Sequence, residues 1–291
     1  MSSFEDVSEA LQQINTVVAT LASFFTYGYI IRRILSNHAT LTQYQHLLVG
    51  QASVYMIGTA LRLVVNQRVT LQMGVLYGYP FIHNRLWVTT LFLCLLAIAE
   101  SAEAIMLMVF NVHRALLFLR PNGIKLFYLV TTPLAVLYVA ALAATDILYV
   151  GISDFCSYGL FVIILVIVIV CYVVLRRHFR RSNYSEKAKR LQNKLSNGLL
   201  LQIIVHIITL ILVSAIGPGI VYLCVALSVD VKLIVTIVSS YMVIVYMMFA
   251  WYPVIIGFII KWSISGFLTT RKGQITTIVV DRTTTPKPMK H

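Results

Sequence analysis

The sequence predicts an all-α fold, a seven-transmembrane helix bundle with its N-terminus outside and its C-terminus cytoplasmic. Three observations predict it. Of the 291 residues, 59% are hydrophobic and only 11% charged, and the mean hydropathy is +0.86, far from the averages of soluble domains. Seven apolar runs are long enough to cross a hydrocarbon core of about 30 Å, which takes roughly 17–25 helical residues. The basic residues are also unevenly placed. With the N-terminus outside, the segments Arg32 to Gln45, His113 to Lys125, Arg176 to Gly198 and the tail from Lys261 fall inside and carry 19 of the 23 Lys and Arg residues, as the positive-inside rule requires.

The first run, Leu11 to Ile31, follows ten polar and acidic residues with no basic leader, so it reads as a signal anchor. The second, His46 to Val65, is interrupted by Gln51, Ser53, Thr59 and Arg62. The third is Trp87 to Val112, the fourth Leu126 to Thr145, the fifth Tyr158 to Leu175, the sixth Leu199 to Ala226 and the seventh Leu233 to Ile260. Backbone polar groups cannot face lipid unpaired, and runs this long without alternation are helices and not barrel strands. Ala188, Leu191, Leu195 and Leu199 recur at helical spacing, so helix six begins well inside the cytoplasm and needs a partner surface for Leu191 and Leu195, either a neighbouring helix or a docked protein. Residues 1–265 form the membrane domain, and 266–291, rich in Thr, Lys and Pro, form a flexible basic cytoplasmic tail. The net charge of +13 is an orientation signal with attraction to anionic inner-leaflet lipids as its consequence; it is not read as nucleic-acid binding.

Two acids lie deep in the third run. At 1.5 Å per residue, Glu103 stands roughly 16 Å and Glu100 roughly 21 Å above Arg114 at the inner end, and their spacing of three puts them on one face. Buried carboxylates cost several kcal/mol unless paired or protonated, so both face the bundle interior, either as an interhelical clamp or in a ligand-binding cavity. Arg62 is the partner expected for Glu100, and His206 for Glu103. Gly217-Pro218-Gly219 is the expected hinge of helix six, because proline removes a donor and glycine removes side-chain support. Cys94, near the outer end of helix three, and Cys156, in the connection between helices four and five, could form a disulfide in an oxidising exterior or remain two buried thiols. No metal-spaced His or Cys cluster, phosphate loop or nucleophile elbow occurs in the sequence, so it indicates neither an enzyme nor a cofactor or metal.

Arg114 precedes Pro121 by seven residues. The spacing resembles the aspartate-arginine-tyrosine segment of rhodopsin-like G-protein-coupled receptors, with His113 in place of the acid and Ala115 in place of the Tyr. "SEKAKRLQNKLSNGLLLQ", Ser185 to Gln202, resembles the entry to helix six of nematode seven-transmembrane chemoreceptors, the superfamily of the str, srh, sri and srd classes. The matching positions are Ser185, Lys187, Leu191, Gln192, Leu195, Leu199 and Gln202; His206 stands where that family usually has Pro. Tyr252-Pro253 and the basic run after it resemble the family's seventh helix. The resemblance implies a G-protein-coupled chemosensory receptor in a sensory cilium, with a small environmental molecule and a heterotrimeric G protein as partners. It implies a signalling face of His113, Arg114, Leu191, Leu195, Tyr252 and Pro253; the outward pocket is expected at the interior-facing Glu100, Glu103 and Arg62. The alternative is a multi-pass transporter or channel that moves protons or cations along Glu100, Glu103 and His206.

Epitope tags test the orientation. In intact cells a tag before Met1 binds antibody, and a tag after His291 binds only once the membrane is permeabilised.

Overall fold

The computed structural model describes residues 2–36, 43–70, 75–76, 86–148, 150–181 and 186–268. Helices dominate: α1 Ser2–Ser36, α2 Gln43–Val65, α3 Leu86–Leu119, α4 Gly123–Leu148, α5 Val150–Arg181, α6 Glu186–Ile211, α7 Gly217–Ala226, α8 Val231–Ala250 and α9 Tyr252–Leu268. A π-helical turn, Leu212–Ile216, joins α6 to α7. Seven segments are long and apolar enough to cross a membrane, the build of a multi-pass membrane protein. Each of the seven expected runs overlaps one of them. The seventh takes in both α8 and α9, which meet at Trp251.

Large apolar side chains lie on the outside, among them Phe25, Leu126, Leu129, Val136 and Leu137. Water would oppose so continuous an apolar surface, and lipid does not. Buried polar groups gather instead on the inside, including Gln51, Glu103, Asn111, Arg114 and Gln202. Contacts run from α1 to α2, α2 to α3, α3 to α5, α5 to α6, α6 to α9 and α9 back to α1, closing a ring, while α4 lies outside it against α3 and α5. No residue of α4 between Gly123 and Ala141 is buried.

At one end of the ring the link from α2 to α3 contains a short antiparallel hairpin, β1 Arg68–Val69 with β2 Val75–Leu76. The first turns of α1 hold it. The Gln12 side chain gives its Nε2–H to the Val69 carbonyl and accepts the Val69 amide, both at 3.0 Å, and Glu9 meets Arg68 at 3.1 Å. Asn66 ends α2 in the left-handed conformation, φ 40°, which Asn tolerates because its short side chain bonds locally. The opposite end carries the basic residues, including Arg176, Arg177, Arg180 and Arg181 at the end of α5.

Three outcomes refine the sequence expectations. Helix six does begin early, at Glu186, and Leu195 is 2% exposed within the main core, so neighbouring helices supply the partner surface for that stripe; Leu191 is half-buried. Gly217 and Pro218 lie within a continuing helix just after the π turn. The wider turn relieves the clash that proline imposes on the carbonyl four residues before it, and Tyr241 of α8 donates its hydroxyl to the Leu212 carbonyl there. Cys156 belongs to α5 and not to a connection between helices; Cys94 is buried, and the Cys156 side chain, with the linkage proposed for it, lies outside the described residues. Most of the expected tail, 269–291, also lies outside them, whereas α9 continues to Leu268.

Close helix contacts need small residues. A Cβ on Gly257 of α9 would come 2.7 Å from Thr26 Cγ2 of α1. Gly257→Leu is therefore expected to lose about 1–3 kcal/mol through overpacking, read as a lower Tm of the purified protein in micelles, while Gly28→Ala, with open space around it, is expected to be close to neutral.

Candidate functional site

Arg62 in the last turn of α2 reaches across to α3. Its Nε lies 3.3 Å from Glu100 Oε1 and its Nη2 3.1 Å from Glu103 Oε2. Two carboxylates one helical turn apart thus share one guanidinium, whose planar fork suits that geometry. The site carries a formal charge of −1. Burial differs across it: the side chains of Arg62 and Glu103 are 11% and 3% exposed, and that of Glu100 42%. Glu100 is the accessible member. Arg62 Nη1 and Glu103 Oε1 are buried and hydrogen-bond to no other described residue. Gly58, one turn before Arg62, makes the room for Glu103, because any side chain there would overlap Oε1.

Aromatic rings surround the guanidinium. The Phe249 and Tyr252 centroids lie 5.5 and 5.8 Å from Arg62 Cζ, within cation–π range, and the two rings stack on each other at 5.9 Å. Tyr252 extends the cluster to α6, where its hydroxyl bonds His206 Nε2. His206 Nδ1 lies 2.8 Å from the Gln202 carbonyl, which can only accept, so Nδ1 carries the proton and Nε2 takes the Tyr252 hydroxyl hydrogen. Gln51 of α2 donates to Gln202 Oε1 at 3.3 Å. Phe161 of α5 stacks on the imidazole, centroids 5.7 Å apart. On the other flank Tyr27 of α1 lies parallel to Tyr55 of α2 at 5.4 Å and donates its hydroxyl to the Pro253 carbonyl at 2.7 Å. One polar, aromatic centre therefore joins α1, α2, α3, α5, α6, α8 and α9.

A second cluster lies about 16 Å further along α3. Arg114 is 1% exposed. Its Nε and Nη2 donate to Gln192 Oε1 at 3.2 and 2.9 Å, and Nη2 also donates to the Gln192 carbonyl at 2.9 Å and to Ser196 Oγ at 2.8 Å. All three acceptors belong to α6. Beside it, His113 meets the Tyr128 hydroxyl of α4 through Nδ1 at 3.0 Å. α6 in turn holds α9: Lys194 donates to Ser265 at 2.7 Å, and Gly198 abuts Ser263 so closely that a Cβ would overlap it.

The structure brings some of the expected residues together and separates others. Arg62 meets Glu100, and it also takes Glu103, for which His206 was expected; His206 turns to Tyr252 instead. Tyr252 and Pro253, expected on the inner face beside Arg114, lie at the upper centre, about 16 Å of helix from Ser263. The Arg62 side of Tyr252 and the Tyr27 bond to Pro253 hold them there. Arg114 and Leu195 are buried against neighbours, so neither lines an open groove in this arrangement. Tyr55, Tyr27, Gln51 and Gln202 escaped the sequence reading as site residues, although Gln51 was visible as a polar interruption of the second run. No protein-family model matches the chain, and no curated protein matches it in sequence.

Removing Arg62 would leave two carboxylates, one fully buried, without their cation. Arg62→Ala is expected to destabilise the bundle by about 3–5 kcal/mol, measured by unfolding in mixed micelles. The double variant Arg62→Met with Glu103→Gln, which removes both charges of the buried pair, is expected to recover at least half of that loss.

Proposed function

We propose that the chain is a seven-helix receptor of the nematode chemosensory type, sitting in the cell membrane of a sensory cilium with its N-terminus outside. It binds a small environmental molecule at the Glu100–Glu103–Arg62 centre and couples that event to a heterotrimeric G protein at the basic end. The observation that carries the reading is the Arg114 clasp. A cation buried at the inner end of α3 holds α6 through four hydrogen bonds, and that same α6 carries His206 and Gln202 in the upper centre.

A receptor needs two arrangements of similar free energy and a ligand that fits one better. The upper centre supplies a negative, partly accessible carboxylate, Glu100, with an uncommitted guanidinium N–H of Arg62 behind it and aromatic walls. Weakly cationic or neutral polar ligands suit that chemistry. A ligand that drew Glu100 away from Arg62 would release Arg62 toward Glu103 and Tyr252, and Tyr252 bears on His206 of α6. From the π turn to the clasp α6 spans about 27 Å, so a rotation of about 10° would move its inner end by several ångström and expose Arg114. The ionisable groups also permit the transporter reading, but among the described residues the buried carboxylate is committed to Arg62 and His206 to Tyr252 and Gln202, which suits a fixed network better than a path of freely exchanging sites.

The test is reconstitution in nanodiscs with a heterotrimeric G protein and a panel of small amines, alcohols and ketones. At least one compound is expected to accelerate nucleotide exchange; Gln192→Leu, which loosens the clasp, raises the basal rate several-fold, and Arg114→Ala abolishes the ligand response. Proton or cation flux in liposomes that disappears in Glu103→Gln, with no exchange activity, would overturn the proposal in favour of transport.

A further inference from the structure

At the basic end a cleft of about 150 Å³ opens between α5 and α6, lined by Tyr172, Arg176 and Arg180 from the one and Asn193, Ser196 and Asn197 from the other. The spacing explains the lining. Tyr172, Arg176 and Arg180 follow one another at intervals of four, as do Asn193 and Asn197, so each set forms a single stripe along its helix. Every one of the six side chains can donate a hydrogen bond, and none carries a negative charge. Arg176 is steadied by Tyr172, which accepts from its Nη1 at 3.0 Å and lies under its guanidinium at 5.8 Å. Among the described residues no carboxylate forms an ion pair with Arg176 or Arg180; the nearest acid in sequence, Glu186, is engaged by Lys189. Two guanidiniums one helical turn apart repel each other, and the neutral amides beside them offer no compensation.

We propose that this cleft binds a phosphate group, and that the phosphate belongs to the headgroup of an anionic membrane lipid. Guanidinium forks match phosphate oxygens two at a time, and the amide and phenol donors complete the oxygen shell. The membrane source follows from what lies next to the cleft. Beside the cleft and within two turns of it along the apolar runs, Val170, Val173 and Val174 of α5 and Leu201 and Ile204 of α6 are exposed, so acyl chains can lie along the helices while the headgroup sits among the donors. The site differs from diffuse attraction of a basic surface to anionic lipid, because it is stoichiometric and depends on position and not on net charge.

Its consequence reaches Arg114. Ser196 lines the cleft and also accepts from Arg114 Nη2 at 2.8 Å, so a phosphate bridging α5 and α6 braces the helix that the clasp holds and favours the closed arrangement. Binding can be read without any G protein or chemosensory ligand, so the site stands or falls apart from the receptor proposal.

The experiment counts phosphatidic acid bound to the full chain, in phosphatidylcholine nanodiscs doped with phosphatidic acid, by native mass spectrometry and by the rise in Tm. The expected result is one tightly held phosphatidic acid per chain, bound at least about tenfold more weakly by Arg176→Gln/Arg180→Gln. The charge-matched control Arg177→Gln/Arg181→Gln, altering exposed residues that do not line the cleft, keeps wild-type binding. A parallel arm with inorganic phosphate separates the sources: no effect at millimolar concentration assigns the site to lipid, and saturable protection lost in Arg176→Gln/Arg180→Gln assigns the same phosphate site to a soluble ligand. Equal weakening by the two double variants, or wild-type binding by both, would overturn the proposal.

Discussion

The buried Arg62–Glu103 pair is the constraint on which the arrangement of the bundle depends. A carboxylate so deep in an apolar helix is tolerable only where a cation can reach it, and that requirement sets the facing of α2 against α3. Gly58 then has to be small, since it lies against the carboxylate. Once Arg62 is placed, its free face needs electron-rich neighbours, and Phe249 and Tyr252 fill that position. Tyr252 fixes His206, His206 fixes the upper part of α6, and Gln202 returns the network to α2 through Gln51. Of the buried polar side chains, Gln51, Glu103 and Gln202 belong to this circuit and Arg114 and Ser196 to the clasp. In a lipid environment, where apolar contact gives little preference for one helix orientation over another, such groups specify which faces meet.

The two clusters share α3 and α6 and differ in kind. The upper one is charged, aromatic and partly accessible through Glu100. The lower one joins a single cation to neutral acceptors, and hydrogen bonds to a charged donor are strong yet can be exchanged for bonds to another acceptor. In the proposed receptor, hydrogen bonds of that sort suit a contact that opens, whereas a buried salt bridge opened to nothing would strand both charges. The π turn before Gly217 lies on the other side of His206 from the clasp, so a twist in α6 can be absorbed there while α7 stays against α8.

Much of this was legible before any coordinates. Seven spans follow from hydropathy, because the cost of unpaired backbone in lipid leaves helices as the only answer for runs of that length. The interruptions of the second run, Gln51, Thr59 and Arg62, carried the most information, since a polar residue in an apolar helix must face inward. What escaped was azimuth. Residue counting gives the height of His206 and Glu103 along their helices but not which neighbours face them, so His206 was matched to an acid when a tyrosine on α9 was nearer. Tyr252 was misplaced for the opposite reason: its height could have been counted from the basic end of the helix, and motif resemblance drew it to the inner face instead. Tyr27 and Tyr55 gave no signal, because aromatics inside apolar runs are ordinary core until a stacking partner is seen. Cys156 was assigned to a connection that proved too short to contain it.

In the proposed receptor, the charged centre and the Arg114 clasp at the basic end are two ends of one coupled element. Spin labels at Leu119 on α3 and Arg190 on α6, both exposed, report the separation of these helices at the basic end by double electron–electron resonance. The account predicts one narrow distance population in the otherwise native chain and, when Glu103→Gln weakens the hold on Arg62, a second population longer by several ångström. Superimposable distance distributions in the two proteins, with the Glu103→Gln chain still folded, would contradict it.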